Sequence, residues 1–286
     1  MTARILIFYH SASGNTRWVT INLADALKKL GFETALCNIA HKPDVIDASS
    51  YDLIGFGCPV MGFRPSFAMT DFIASIPPQS NIPSFVFTTY AGVLANAPWM
   101  LAKRLHSQGF IVGAHKHFRS EVSWPIARSI GLVISRGRPN KQTLPHITRF
   151  ANNLALLVKN CKINKTPQPA IIPHSRLNFF YYLALLNRPN RLRIMMGKKI
   201  VDKVKCTKCS CCKHYCAVGA ISLNPYPCFN KQCTGCWGCF NICPEGAIST
   251  IVGTHGRYRV KAYPYTCEGE KLRTPHTLIN ERRDRN

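Results

Sequence analysis

Carboxylates are scarce in this chain. Its 286 residues carry 13 Asp and Glu against 37 Lys and Arg, a formal excess of +24. A field of that sign favours acidic proteins, anionic lipid or nucleic acid, and by itself does not choose among them. Two features of nucleic-acid readers are missing: there is no helix-turn-helix pattern, and aromatic residues are not interleaved with the basic run as stacking platforms would be. Nucleic acid is therefore not expected. No run of 18 or more apolar residues occurs, so no membrane-spanning helix is expected. The start, Met1 to Arg4 followed by the apolar Ile5–Tyr9, lacks the layout of a secretory signal, which points to the reducing cytoplasm. No constellation for acid–base or nucleophilic catalysis stands out.

Cysteine, by contrast, is abundant, with 14 in the chain. Eight of them spell one pattern twice: Cys206, Cys209, Cys212 and Cys216, then Cys233, Cys236, Cys239 and Cys243. Both copies read C-x2-C-x2-C-x3-C, offset by 27 residues, and Gly219-Ala220-Ile221 recurs as Gly246-Ala247-Ile248. Coincident thiols with a matching trailer make this an internal duplication. Three cysteines at intervals of three can wrap three corners of an iron–sulfur cube, with the fourth reaching the cube of the other copy. One [4Fe–4S] cluster is thus assigned to Cys206, Cys209, Cys212 and Cys243, the other to Cys233, Cys236, Cys239 and Cys216. Zinc prefers paired ligands around one tetrahedral point, and three-plus-one spacing fits that poorly. Disulfides are disfavoured in a chain without a secretory signal. Here residues 198–252 resemble the two-cluster bacterial ferredoxins. One departure is that Pro244 follows the last cysteine of the second copy, whereas Ala217 stands at that place in the first.

The N-terminal stretch reads as strand, loop, helix: Arg4–His10, then Ser11-Ala12-Ser13-Gly14-Asn15-Thr16, then helical spacing from Trp18 to Leu30. Backbone N–H groups and the hydroxyls of Ser11, Ser13 and Thr16 suit a phosphate, and Gly14 permits a close approach or a positive φ. No lysine sits in the loop, so it is not a nucleoside-triphosphate loop. Further strands are expected at Phe32–Ile39, Leu53–Cys58, Ser84–Tyr90 and Phe110–His117, with a closing helix at Leu144–Lys159. Alternating strands and helices imply a parallel sheet covered on both faces.

The loop resembles that of flavodoxins, which places Ser11, Ser13, Gly14, Asn15 and Thr16 around the phosphate of FMN. That resemblance also implies that the loops after the third and fourth strands hold the flavin ring. Pro59, Met61 and Phe63 lie on one; Thr88, Tyr90 and Gly92 lie on the other, with Phe63 and Tyr90 as the aromatic walls and Met61 as a substitute.

Residues 118–140 suggest an irregular excursion over the flavin side, a lid or a partner surface. Between Lys159 and Lys205 stand 11 Lys or Arg and one acid, Asp202. Within that basic segment Leu177–Leu186 is apolar; it is expected to dock the two domains, with anchoring on anionic lipid as the alternative. An edge strand at Tyr258–Tyr263 and a frayed end from Glu268 complete the reading.

Taken together, the chain resembles flavodoxin–ferredoxin fusion proteins: a flavodoxin-like α/β domain with a five-stranded parallel sheet (1–160), a linker and docking helix (161–197), a small α+β two-cluster domain (198–252) and a tail (253–286). The resemblance implies FMN, two [4Fe–4S] clusters and electron transfer between them. A flavin-dependent reductase fed by the clusters is the alternative, and a nucleic-acid-binding redox sensor a weaker one. An acidic redox partner protein is expected, with an anionic membrane surface as the second candidate.

Overall fold

The structure, a computed structural model, describes residues 2–41, 47–164, 167–175, 177, 179–253 and 257–258. Its larger part is built from strands β1 (Arg4–Tyr9), β2 (Glu33–Asn38), β3 (Leu53–Met61), β4 (Arg64–Pro65), β5 (Ile82–Tyr90) and β6 (Phe110–Arg119). The sheet order is β2-β1-β3-β5-β6, all parallel, with the two-residue β4 folded back antiparallel on β3. This is the doubly wound flavodoxin-like order, whose chain reversal lies between β1 and β3.

Side-chain alternation along the strands makes two cores. Leu6, Phe8, Ile54, Phe56 and Val86 point to one face, where Met69 and Ile73 of α2 (Phe67–Ser75) and Leu101 and Leu105 of α3 (Ala97–His106) cover them. Ile5, Ile7, Leu53, Phe85 and Phe87 point to the other. There α1 (Asn15–Lys29) and α5 (Leu144–Asn164) supply Leu23, Leu27, Phe150 and Leu154. Gly55 and Gly57 of β3 leave the space that these aromatics fill: a Cβ would lie 2.2 Å from the Phe85 ring or 2.1 Å from that of Phe87.

Beyond residue 119 a wall segment carries α4 (Pro125–Ser129). It is pinned by Glu121, whose carboxylate accepts from the Gly137 N–H at 2.6 Å and pairs with Arg128. The linker then forms α6 (Phe179–Leu186) and α7 (Pro189–Met196).

The smaller part repeats itself in three dimensions. Strand β7 (Lys199–Val201) pairs antiparallel with β10 (Ile248–Thr250), and β8 (Ile221–Asn224) pairs with β9 (Tyr226–Phe229). Each two-stranded pair thus joins the head of one cysteine copy to the tail of the other. Helices α8 (Cys211–His214) and α9 (Gly238–Ile242) follow the two cysteine loops. Left-handed backbone recurs at the same offset: Lys208 and Gly235, Ser210 and Trp237, Gly219 and Gly246.

Residues 177–186 were expected to dock the two parts; contact with the cysteine part is made by α7. Met196 packs with Trp237 and Phe240, and the Leu192 backbone lies against Gly235. Helix α6 seats Phe180 on Phe63 (ring centroids 4.9 Å apart) and buries Ala184, while Phe179, Tyr182, Leu185 and Leu186 face solvent. In the strand expected at Tyr258–Tyr263, residues 259–263 lie outside the described residues, as does the end from Glu268, and Tyr258 itself is not in a strand.

Candidate functional site

A cavity of about 460 Å³ opens at the carboxyl ends of β1, β3 and β5, where doubly wound sheets bind their ligands. Its floor is the Ser11–Thr16 loop. Gly14 sits there with φ 97° at the N-terminus of α1, a conformation that favours glycine. The Ser11 hydroxyl oxygen accepts from the N–H groups of Gly14 and Arg17, each at 3.2 Å, and so braces the loop from inside. Ser13, Asn15 and Thr16 line the cavity alongside it. The loop is held to the sheet by a 2.8 Å contact between the hydroxyls of Thr16 and Thr89.

Pro59, Met61, Phe63, Tyr90 and Gly92 all reach this cavity. Phe63 holds a left-handed backbone (φ 66°) and leans on Phe180; Arg119 stacks over Tyr90 at 4.9 Å and donates to the Ala91 carbonyl at 3.0 Å. Gly14 shapes the loop without lining the cavity. Thr88 does not line the cavity; its hydroxyl meets His117 Nδ1 at 3.0 Å. Strand alternation puts Thr89, not Thr88, on the face of α1 that carries Thr16, and parity along β5 was the signal that could have found it.

His10 is structural. It is buried, with Nδ1 2.9 Å from Ser66 Oγ, and burial lowers its pKa to about 4, so it is neutral near pH 7. His115 and His117 sit in contact, Nδ1 to Nε2 at 3.0 Å, both pushed down first by burial. Among the described residues no His, Cys, Asp or Glu group surrounds a single point as ligands of one metal ion do.

The wall from residue 120 onward contributes Val122, Trp124, Leu132 and Ile134. Asn15 ties it down: its amide nitrogen donates to the Glu121 carbonyl at 3.0 Å, and its oxygen accepts from the Tyr258 hydroxyl at 3.0 Å. The fourth side comes from the repeated part of the chain. Gly235, Cys236 and Trp237 line the cavity, with Leu192, Met195 and Met196 of α7 beside them. The Ala12 backbone lies 3.7 Å from where a Cβ on Gly238 would stand. Contacts between segments so far apart in sequence leave no local signal.

The eight cysteines fall into two sets that cross the copies. Cys206, Cys209, Cys212 and Cys243 line one small cavity. Burial, then the sulfurs of Cys243, Cys209 and Cys206, push the Cys212 thiol up to about 11. Cys236 is pushed up to about 12 by burial and then by Cys216 and Cys233; Cys239 rises by burial and then by Cys236, Cys233 and Cys216. Backbone N–H groups point at the sulfurs, in matching places for Ala220 to Cys216 and Ala247 to Cys243, both at 3.2 Å; the Gly238 N–H also points to Cys236 at 3.4 Å. Ala217, where a proline was missing, packs against the core of the larger part together with Val218.

No protein-family model matches the chain, and no curated protein matches it. Solved structures are similar over about half of it. A flavodoxin from the domain Archaea shares 17% identity over 55% of this chain and 99% of its own, with a TM-score of 0.40. Oxidised flavodoxin 1 from Bacillus cereus shares 15% over 54% and 98%, with a TM-score of 0.42. A flavodiiron core from Synechocystis shares 19% over 56% of this chain and 37% of its own, with a TM-score of 0.41. The fold assignment rests on strand order and register.

Proposed function

We propose that the chain is an electron-transfer protein that holds FMN in the 460 Å³ cavity and two [4Fe–4S] clusters on its crossed cysteine sets. The observation that carries this reading is Cys236: a member of the second cysteine set lines the same cavity as the Ser11–Thr16 loop. When bound, FMN exchanges one or two electrons and each cluster exchanges one, so together they supply conversion between one- and two-electron chemistry.

The residues present suit both groups. The cavity falls within the ~300–1,000 Å³ usual for cofactor sites. The loop and the start of α1 offer N–H groups and hydroxyls to a phosphate, while Phe63 and Tyr90 offer ring faces. Cys206, Cys209, Cys212 and Cys243 lining one small cavity suit a cube whose irons occupy separate corners. Amide N–H groups directed at Cys216, Cys236 and Cys243 supply the hydrogen bonds to sulfur by which proteins tune such centres. Burial among like-charged sulfurs disfavours bare thiolates, and iron offsets that cost.

Anaerobic purification followed by iron, sulfide and flavin analysis tests the assignment. About eight irons, eight sulfides and one FMN per chain are expected; eight irons without flavin, even after FMN is added, would refute the flavin half. Asn15→Ala removes two hydrogen bonds that hold the cavity wall. It is expected to weaken FMN binding by about 1–3 kcal/mol, roughly 5- to 150-fold, with iron content unchanged. Fluorescence titration of the flavin measures this, and unaltered affinity would sink the role given to Asn15.

A further inference from the structure

From Val122 to Val201 there is not one Asp or Glu, while fourteen Lys and Arg fall in that span. All of the chain's carboxylates lie outside it, so the charge excess is segregated. Helix α6 stands within this span and carries the most apolar exposed surface beside the cavity. Phe179, Tyr182 and Leu186, at i, i+3 and i+7, form one stripe, and they are 68%, 54% and 58% exposed. Leu177 before the helix and Ile194 on α7 are exposed as well. The opposite side of α6 is committed: Phe180 seats on Phe63, and Asn187 just beyond the helix donates to the Gly62 carbonyl at 3.0 Å and accepts from Arg64 at 3.0 Å. The stripe is thus held outward on a braced element. Arg188 and Arg191 follow it and are exposed.

We infer that α6 lies on an anionic lipid surface, its aromatic and aliphatic stripe in the headgroup–acyl boundary and its arginines on lipid phosphates. No helix here is long and apolar enough to cross a membrane, and a helix of about 12 Å suits the interface plane. Arginine stems run along apolar surface while their heads reach phosphate, which is the pattern a bilayer edge accepts. A second copy is disfavoured as occupant, because it would bring the same cationic span against this one. Docking this way sets Phe63, and with it the cavity rim, next to the bilayer. The inference rests on surface charge and exposure and stands apart from the cofactor assignment.

Flotation of the purified full chain with vesicles tests it, using phosphatidylcholine alone and phosphatidylcholine with one third phosphatidylglycerol by design. The native chain is expected to float with the anionic vesicles and poorly with the neutral ones. Salt should weaken this without abolishing it. The Phe179→Glu/Leu186→Glu variant is expected to lose about tenfold or more in partitioning while keeping its visible spectrum and thermal unfolding. No flotation at low salt would overturn the inference. Equal flotation of native and variant, fully screened by salt, would also overturn it, since bare basicity would then suffice. A native dimer that the variant converts to monomer would overturn it in favour of self-association.

Discussion

On the proposed cofactor assignment, Cys243→Ser and Cys239→Ser are expected to remove different centres, although they lie within one turn of chain. Cys243 faces Cys206, Cys209 and Cys212 around the small cavity, whereas Cys239 belongs with Cys216, Cys233 and Cys236. Each variant should lose about half of its iron and sulfide. The consequence for the flavin differs. Cys239→Ser strikes the set of which Cys236 lines the large cavity. It should therefore slow reduction of the flavin through the remaining centre by orders of magnitude. Cys243→Ser leaves the adjacent set intact, so that step should persist. Spectra of the two variants on stepwise reduction, with flavin and iron–sulfur absorbance followed separately, measure both effects. Loss of the same centre in both would refute the crossed arrangement.

Gly235→Ala is expected to cost more stability than its position in a loop suggests. Gly235 has φ +68°, and its repeat partner Lys208 adopts nearly the same angle, 59°, with a full side chain. The left-handed backbone alone therefore does not demand glycine here. The neighbour does: an added Cβ would lie 2.6 Å from the Leu192 carbonyl carbon and oxygen and 2.9 Å from the Arg193 nitrogen. These are backbone atoms of α7 and cannot swing aside, so the helix must separate from the Cys233–Cys236 loop. Overpacking and the left-handed penalty together should destabilise by about 2–4 kcal/mol. Lys208→Ala at the equivalent place should cost less than about 1 kcal/mol, since it gives up only a contact over the Tyr226 ring. Denaturant midpoints of the two variants decide the matter; equal effects would show that the α7 contact does not hold the two parts together.

Much of the molecule was legible from short-range pattern. The parallel sheet, its strand sequence and its two helical layers followed from alternating apolar runs, because burial on both faces forces that pattern on strands. Boundaries moved by a few residues, as with β3 running on to Met61 and α5 to Asn164. The duplicated cysteine spacing showed in one dimension, and its symmetry returns in the paired left-handed residues of both copies. Thr88 and Thr89 show the opposite case: a loop can be recognised without the parity that says which of two neighbouring threonines lines the cavity.

Other features depend on contacts that no local window contains. Apolar composition made residues 177–186 read as the docking element, yet burial is decided by which surface arrives opposite. Leu192 and Met196 of α7 met Gly235, Trp237 and Phe240, and α6 was left with one face uncovered. Likewise, the two halves of the site, Ser11–Thr16 and Cys236, are more than two hundred residues apart, and only the folded chain brings them to one cavity. Residue types and spacing determined the chemistry each part can hold. Tertiary packing decided their adjacency, because long-range contacts depend on the complementarity of whole surfaces and not on the periodicity of any one segment.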